Sequence, residues 1–484
     1  KIGATARRRV PSPAIGEEAP VAGAVAGLFP WRRVRMSART HEEIQDDATF
    51  RRAVEAAIWG IPAVNFELMR GVLSPDATNR WLYWSGLLDW KNQLLTPNPD
   101  LVYYIGLFDL RETGPLVIEV PAATEKNALN GNVCNIWQTP LEDVGRFGAD
   151  KGAGGKYLIV PPDYTGELPA EGYFVLRSLT QQNYALFRAV LSEGTQEAVD
   201  SGLDYCQQVR SYPLSEAANP PATDTEDLTG KLVDGIIPYD IRFFEALDRI
   251  IQAEEWLPRD QAMTEIVGAV GIKKGETFAP TEHTKAILER AVSEAHLWIR
   301  DTYENGFPPF YPGTQWFFPT SQEMRVAQES EYQDPGSYPW GNRAIPYHMA
   351  FIGLKHLGAG QFYLVDVKDS DGKLFDSAKT YRMRVPIDVP VTQYWSCAMY
   401  DADSHAFIRE NVKYSVSSLT PGLTVNDDGT VDIYVGPKAM PGLEANFIET
   451  GKSQAFELMF RFYGTKPEIF DQSWKLNDAE LIAG

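Results

Sequence analysis

Two stretches of this 484-residue chain are written in short apolar runs, closed by Gly, Pro or Asp, and a largely helical stretch separates them. PLVIEVP (115–121) is the clearest run: Leu116, Ile118 and Val120 alternate with their neighbours, the pattern of a strand with one buried face. LVYYIGLFDL (101–110), YLIVPPDY (157–164) and YFVLRS (173–178) surround it. From 360 onward come QFYLVDV, YRMRVP, TQYWSCAMYD, VKYSVSS, TVDIYVGP and AFELMFRFYG, with turn signals at DSDG (369–372), NDDG (426–429) and MPG (440–442). A strand of this kind needs a second sheet to cover its apolar face, and such close spacing leaves no room for crossover helices. Both regions are therefore expected to be antiparallel sandwiches or jelly rolls.

The remaining pattern has the helical period. Residues 42–59 carry an apolar face expected to stop at Gly60, before Pro62, with a second short helix over 63–72. Residues 181–210 read as helical. IRFFEALDRIIQAEEW (241–256) and TKAILERAVSEAHLWIRDTY (284–303) each place apolar residues on one stripe. The expected fold is mainly β with a helical insertion: two jelly-roll or β-sandwich-like domains plus a helical segment. The expected domains are a leader or flexible arm at 1–35, a β-rich domain at 36–212, a connector and helical segment at 213–345, and a β-sandwich at 346–484.

Charge narrows the partners. Lys and Arg number 45 against 65 Asp and Glu, a net charge of −20. Phosphate backbones and anionic membranes both require basic surface, so neither nucleic acid nor membrane is an expected partner. Three scattered cysteines, Cys134, Cys206 and Cys397, form neither a disulfide framework nor a zinc motif, and no secretory signal pattern precedes Met36. A cytoplasmic location is expected, with no metal and no cofactor.

GxSxG, HExxH, Walker and GxGxxG patterns are absent. One cluster stands out. TPNPDLVYY (96–104) crowds Thr96, Asn98, Asp100, Tyr103 and Tyr104 at a strand entry. An Asx turn accounts for part of it. Asn98 as a hydrogen-bonding group, Asp100 as a base and Tyr103 as an acid would suit a small polar substrate. Regular strand geometry aims Tyr103 away from Asn98 and Asp100, but Pro97 and Pro99 favour an irregular entry that could re-aim it. The base role further requires Asp100 to face a cleft rather than bulk solvent. In AFELMFRFYG, Phe456, Leu458 and Phe460 share one face, leaving Glu457, Met459 and Arg461 on the other. If that face meets the other domain, Arg461 is expected to pair with a carboxylate, because a buried unpaired charge is costly.

The TPNPD segment is similar to the signature of a bacterial domain of unknown function, number twelve-fifty-four. Thr96, Pro97, Asn98, Asp100 and Tyr103 match, followed by FDL (108–110), PLVIEVP, YLIVPPDYTGELP (157–169) and the expected helix carrying Arg188. The carboxy-terminal part resembles domain of unknown function twelve-fourteen at Tyr363, Asp369, Asp371, Gly372, Trp395, Ser396, Tyr400, Asp401, Asp428, Gly429, Asn446, Arg461, Tyr463 and Trp474. The resemblance implies two jelly-roll domains with a helical segment, commonly assembled as a homo-oligomer, and implies no reaction. Three functions stay open. One is an enzyme of hydrolase or lyase type acting on a small polar organic molecule or saccharide, with Asp100 and Tyr103 catalytic and Asn98, Trp137 and Arg188 binding substrate. Another is a non-catalytic protein binding such a ligand. The third is a structural homo-oligomer.

Overall fold

A computed structural model describes residues 39–334, 336–351, 355–356 and 360–483. The expected leader, 1–35, lies outside the described residues. Residues 1–45 and 46–484 separate as two compact units. In the first, Thr40 and Glu43 cap each other: the Glu43 N–H donates to Thr40 Oγ1 (3.2 Å), and the Thr40 N–H donates to Glu43 Oε2 (2.7 Å). This reciprocal box opens the helix His41–Leu73.

The second unit holds two sandwiches. In the amino-terminal one, a six-stranded sheet runs Thr225–Asp227, Arg80–Tyr83, Leu101–Asp109, Gln182–Val190, Leu129–Asn135, Pro140–Gly145. Facing it is a four-stranded sheet in the order Arg210–Pro213, Leu116–Val120, Gly155–Val160, Phe174–Arg177. The carboxy-terminal sandwich pairs Gln361–Asp366, Phe456–Tyr463, Trp395–Asp401, Ser415–Ser417 with Phe447–Glu449, Val431–Gly436, Thr380–Val385, Ala479–Ala483. In these four sheets pairing is antiparallel except at three sheet edges, where Arg80–Tyr83, Gly155–Val160 and Val431–Gly436 each meet a parallel neighbour. All six expected carboxy-terminal strands form.

A large shared core lies between the sandwiches. Along Leu101–Asp109, Val102, Tyr104 and Phe108 point into the amino-terminal sandwich, whereas Leu101, Tyr103, Ile105 and Leu107 join the shared core. Along Phe456–Tyr463 the same division holds: Phe456, Leu458, Phe460 and Phe462 fill the carboxy-terminal sandwich, and Met459 and Tyr463 face the shared core. The helices Ile241–Ala253 and Glu282–Asn305 complete this core with Phe243, Phe244, Leu247, Leu288, Ala291 and Ile299. Each of the buried Phe, Leu and Ile side chains among them contributes roughly 1.5–3 kcal/mol. Among the described residues no helix is long and apolar enough to cross a membrane.

Burial on both faces explains where the periodicity misleads. Residues 182–190 form a strand, not part of a helix, and Arg188 lies on that strand. Tyr184 and Leu186 face the shared core while Ala185, Phe187 and Ala189 face the sandwich, so from 184 to 187 and at 189 apolar residues stand on both faces and Arg188 alone interrupts them. The expected break at Gly60 and Pro62 is also absent, since one helix runs from His41 to Leu73 through Pro62. There the helix is buried all round, and Gln138 Nε2 donates to the Pro62 carbonyl (2.9 Å), so tertiary packing outweighs the missing backbone N–H.

One buried carboxylate ties three elements together. Glu457, 1% exposed, accepts from Tyr303 of the Glu282–Asn305 helix at 2.6 Å and lies 3.0 Å from the His405 Nδ1. Glu457→Ala strands both partners in the core and should cost about 3–5 kcal/mol. Urea denaturation checks this, with Glu457→Gln expected to lose less because it keeps the shape and one acceptor.

Candidate functional site

The TPNPD turn organises the meeting of the two sandwiches. Pro97 and Pro99 offer no backbone donor, and Thr96 sits at a φ of 35°, so the chain enters its strand irregularly. The Asp100 N–H donates to Asn98 Oδ1 (2.9 Å), closing an Asx turn. The Asn98 amide nitrogen then reaches across the seam to the hydroxyls of Tyr394 (2.8 Å) and Tyr463 (3.1 Å). The Asn98 backbone N–H donates to the Tyr103 hydroxyl (3.0 Å), so the turn holds the ring that strand alternation alone would leave unplaced. Thr96 locks the same segment down: its hydroxyl donates to the Met349 carbonyl, its N–H donates to the His405 carbonyl, and its carbonyl accepts from Arg461 Nη2.

Two cross-strand Tyr–Arg pairs line this seam. Tyr103 and Arg188 are register partners in the six-stranded sheet, with the guanidinium 5.4 Å from the ring centre. Tyr363 and Arg461 are partners in the carboxy-terminal sheet at 5.3 Å, and Tyr400 lies against Arg461 from another side at 5.4 Å. All four residues line one cavity of about 50 Å³, whose other walls include Met69, Trp84, Leu88, Leu94, Ile105 and Leu186. Arg188 and Arg461 are 6% and 2% exposed. Arg188 Nε and Nη1 and Arg461 Nη1 are buried without a hydrogen-bond partner among the described residues. The face carrying Arg461 does meet the other domain. Its direct partners are a carbonyl and two rings rather than the expected carboxylate, because Asp100 contributes only through its field.

Of the expected site residues, Tyr103 and Arg188 line the cavity; Asn98 touches it only through its backbone hydrogen bond to the Tyr103 hydroxyl, and neither Asn98 nor Asp100 is among the lining residues. The Asp100 Oδ1 accepts from Ser415 (3.0 Å), and its Oδ2 is shut off from solvent without a partner among the described residues. Burial raises the Asp100 carboxyl to about 6, against the pull of Ser415 and Arg461. Trp137 does not line the cavity; it packs on Trp59 with ring centres 4.6 Å apart, and its carbonyl accepts from Arg343. Residue-by-residue reasoning about a site missed Tyr363, Tyr394 and Tyr463. The available signal was Arg461, a cation on the second face of an otherwise apolar strand.

Residues 78–213 match the family model "Protein of unknown function (DUF1254)", and residues 360–467 match "Protein of unknown function (DUF1214)". The two sandwiches carry this domain pair. Trp84, Thr96, Tyr103 and Arg188 come to the cavity from the DUF1254 region, and Tyr363 and Arg461 from the DUF1214 region. Among solved structures, the VPA0106 protein from Vibrio parahaemolyticus is similar at 17% identity and a TM-score of 0.56, covering 90% of this chain and 100% of that one. An uncharacterized protein from Burkholderia cenocepacia aligns at 12% identity and a TM-score of 0.40, over 91% and 96% of the two chains. The first likeness shows the fold. No curated protein matches the chain.

Asp100 gives the DUF1254 turn a pH signature. A carboxyl held near 6 when folded and near 3.8 when unfolded binds its proton more tightly in the folded state. Its contribution is therefore fully present below the unfolded value and is lost as pH rises through the folded one, by about 2–3 kcal/mol. Asp100→Asn keeps the shape and removes the titration. Denaturation across pH should show the variant gaining on the parent between about pH 4 and 6, with a constant difference above 7.

Proposed function

We propose that the seam cavity is a binding site for a small organic molecule with a polar head, built jointly by the DUF1254 and DUF1214 regions. The observation that carries this reading is Arg188, a buried guanidinium that lines the cavity with Nε and Nη1 unpartnered. A desolvated charge without full hydrogen bonding is expensive, and an occupant of the cavity would supply the missing acceptors. Mostly apolar walls with a few convergent polar groups are the usual character of such sites.

Binding is favoured over hydrolysis or elimination by what stands around the cavity. Its described lining contains no carboxylate and no histidine, and Asp100 faces the Ser415 strand instead. A general base must reach the proton that it removes, and among the described residues neither a carboxylate nor an imidazole lines this space.

The reading is tested by thermal denaturation against a mixed library of small organic acids, amides, alcohols and sugars. At saturating concentration at least one class should raise the midpoint by about 2 °C or more. Arg188→Met should abolish the shift. A shift that persists in Arg188→Met, or a library that moves nothing, would rule the site out.

A further inference from the structure

We propose that the occupant of this cavity is a small monocarboxylate with an apolar tail, an inference that rests on reading the cavity as a ligand site. The argument follows the protons. The Asp100 backbone N–H can only donate, and it donates to one end of the Asn98 side chain at 2.9 Å. That end is therefore the oxygen, and the other end, the NH₂, donates to the hydroxyl oxygens of Tyr394 and Tyr463.

Tyr463 must now place its own proton. Its hydroxyl lies 2.9 Å from that of Tyr363, and the nearby cations, Arg188 and Arg461, accept nothing. The pair can bond in either direction, and we take Tyr463 as the donor because its oxygen already accepts from Asn98 and no other acceptor for its proton stands among the described residues. Burial raises both phenols well into the protonated form at neutral pH. Tyr363 is thereby left with an O–H to donate, and Tyr363 lines the cavity. Tyr103 arrives at the same state by another route, because its oxygen already accepts the Asn98 N–H and its proton is uncommitted. Arg188 and Arg461 add three unpartnered buried nitrogens.

The polar end of the cavity is therefore a set of donors from four side chains. Against them, among the described residues, stands one buried side-chain acceptor on the wall without a partner, Asn92 Oδ1. A sugar or alcohol brings a proton with every hydroxyl and would need acceptors here. A carboxylate brings only acceptors and suits guanidinium forks. Charge sets the valence: Arg188 and Arg461 both line the cavity, and Asp100, outside the lining and also coupled to Lys413, offsets part of the Arg461 charge, leaving Arg188 as the positive charge to balance. A monoanion does this, and a phosphate dianion overshoots. The other walls, Met69, Trp84, Leu88, Leu94, Ile105 and Leu186, offer only apolar contact, and about 50 Å³ admits a short chain.

The test is calorimetric titration of the full chain with butyrate, acetate, butyramide, 1-butanol, glucose and inorganic phosphate. Butyrate should bind, and butyramide and 1-butanol should bind about 10–100-fold more weakly, the value of charge-assisted hydrogen bonds. Acetate should be weaker than butyrate, and glucose and phosphate should not bind. Tyr363→Phe, which removes one donor and keeps the ring over Arg461, should weaken butyrate about tenfold. Arg188→Met should weaken it further. If butyramide, butanol or glucose binds as well as butyrate and Arg188→Met abolishes that binding, the ligand site stands and the carboxylate class is overturned. Equal binding of acetate and butyrate removes the apolar tail. Binding by none of the six, with no hit in the wider library, overturns both readings.

Discussion

Two guanidinium groups buried where the sandwiches meet constrain the rest of this molecule. Removing Arg188 and Arg461 from water is costly, and the fold offsets that cost piecemeal. Each cation lies against the ring of its cross-strand tyrosine, Arg461 also lies against Tyr400 and donates to the Thr96 carbonyl, and among the described residues neither forms a close ion pair. Cation–π contacts stabilise a charge without using its N–H groups. The consequence is a seam that is electrostatically supported but short of acceptors, which gives the cavity its chemical character.

The Asn98 turn converts this general situation into a directional one. A single backbone donor, the Asp100 N–H, sets which end of Asn98 faces Tyr394 and Tyr463, and Tyr463 in turn shares a hydrogen bond with Tyr363. In a buried network each group must be satisfied by another, so one obligate donor orders its neighbours. Asp100 belongs to this network as a neighbour of Arg461 and a partner of Ser415, and it is not among the residues lining the cavity. Glu457 does comparable work on the same strand as Arg461, joining Tyr303 and His405 deeper in the core. Both polar residues of that strand's second face are structural necessities once the sandwiches close over them.

The sequence by itself determined the elements whose two faces differ. The alternation in AFELMFRFYG and PLVIEVP, the amphipathic stripes of 241–253 and 284–303, and the Pro-bounded Asx turn at 97–100 were legible, because solvent or a second domain leaves a chemical contrast between faces. Only the tertiary structure decided the rest. The strand Gln182–Val190 has apolar residues on both faces from 184 to 187 and carries too little contrast to read, and a helix through Pro62 persists because its surroundings outweigh a local rule. The cavity was out of reach for a further reason. Tyr103 meets Arg188, and Tyr363 meets Arg461, through strand register across long stretches of chain, and register is set by which faces are buried together. That choice is made only when the two sandwiches pack.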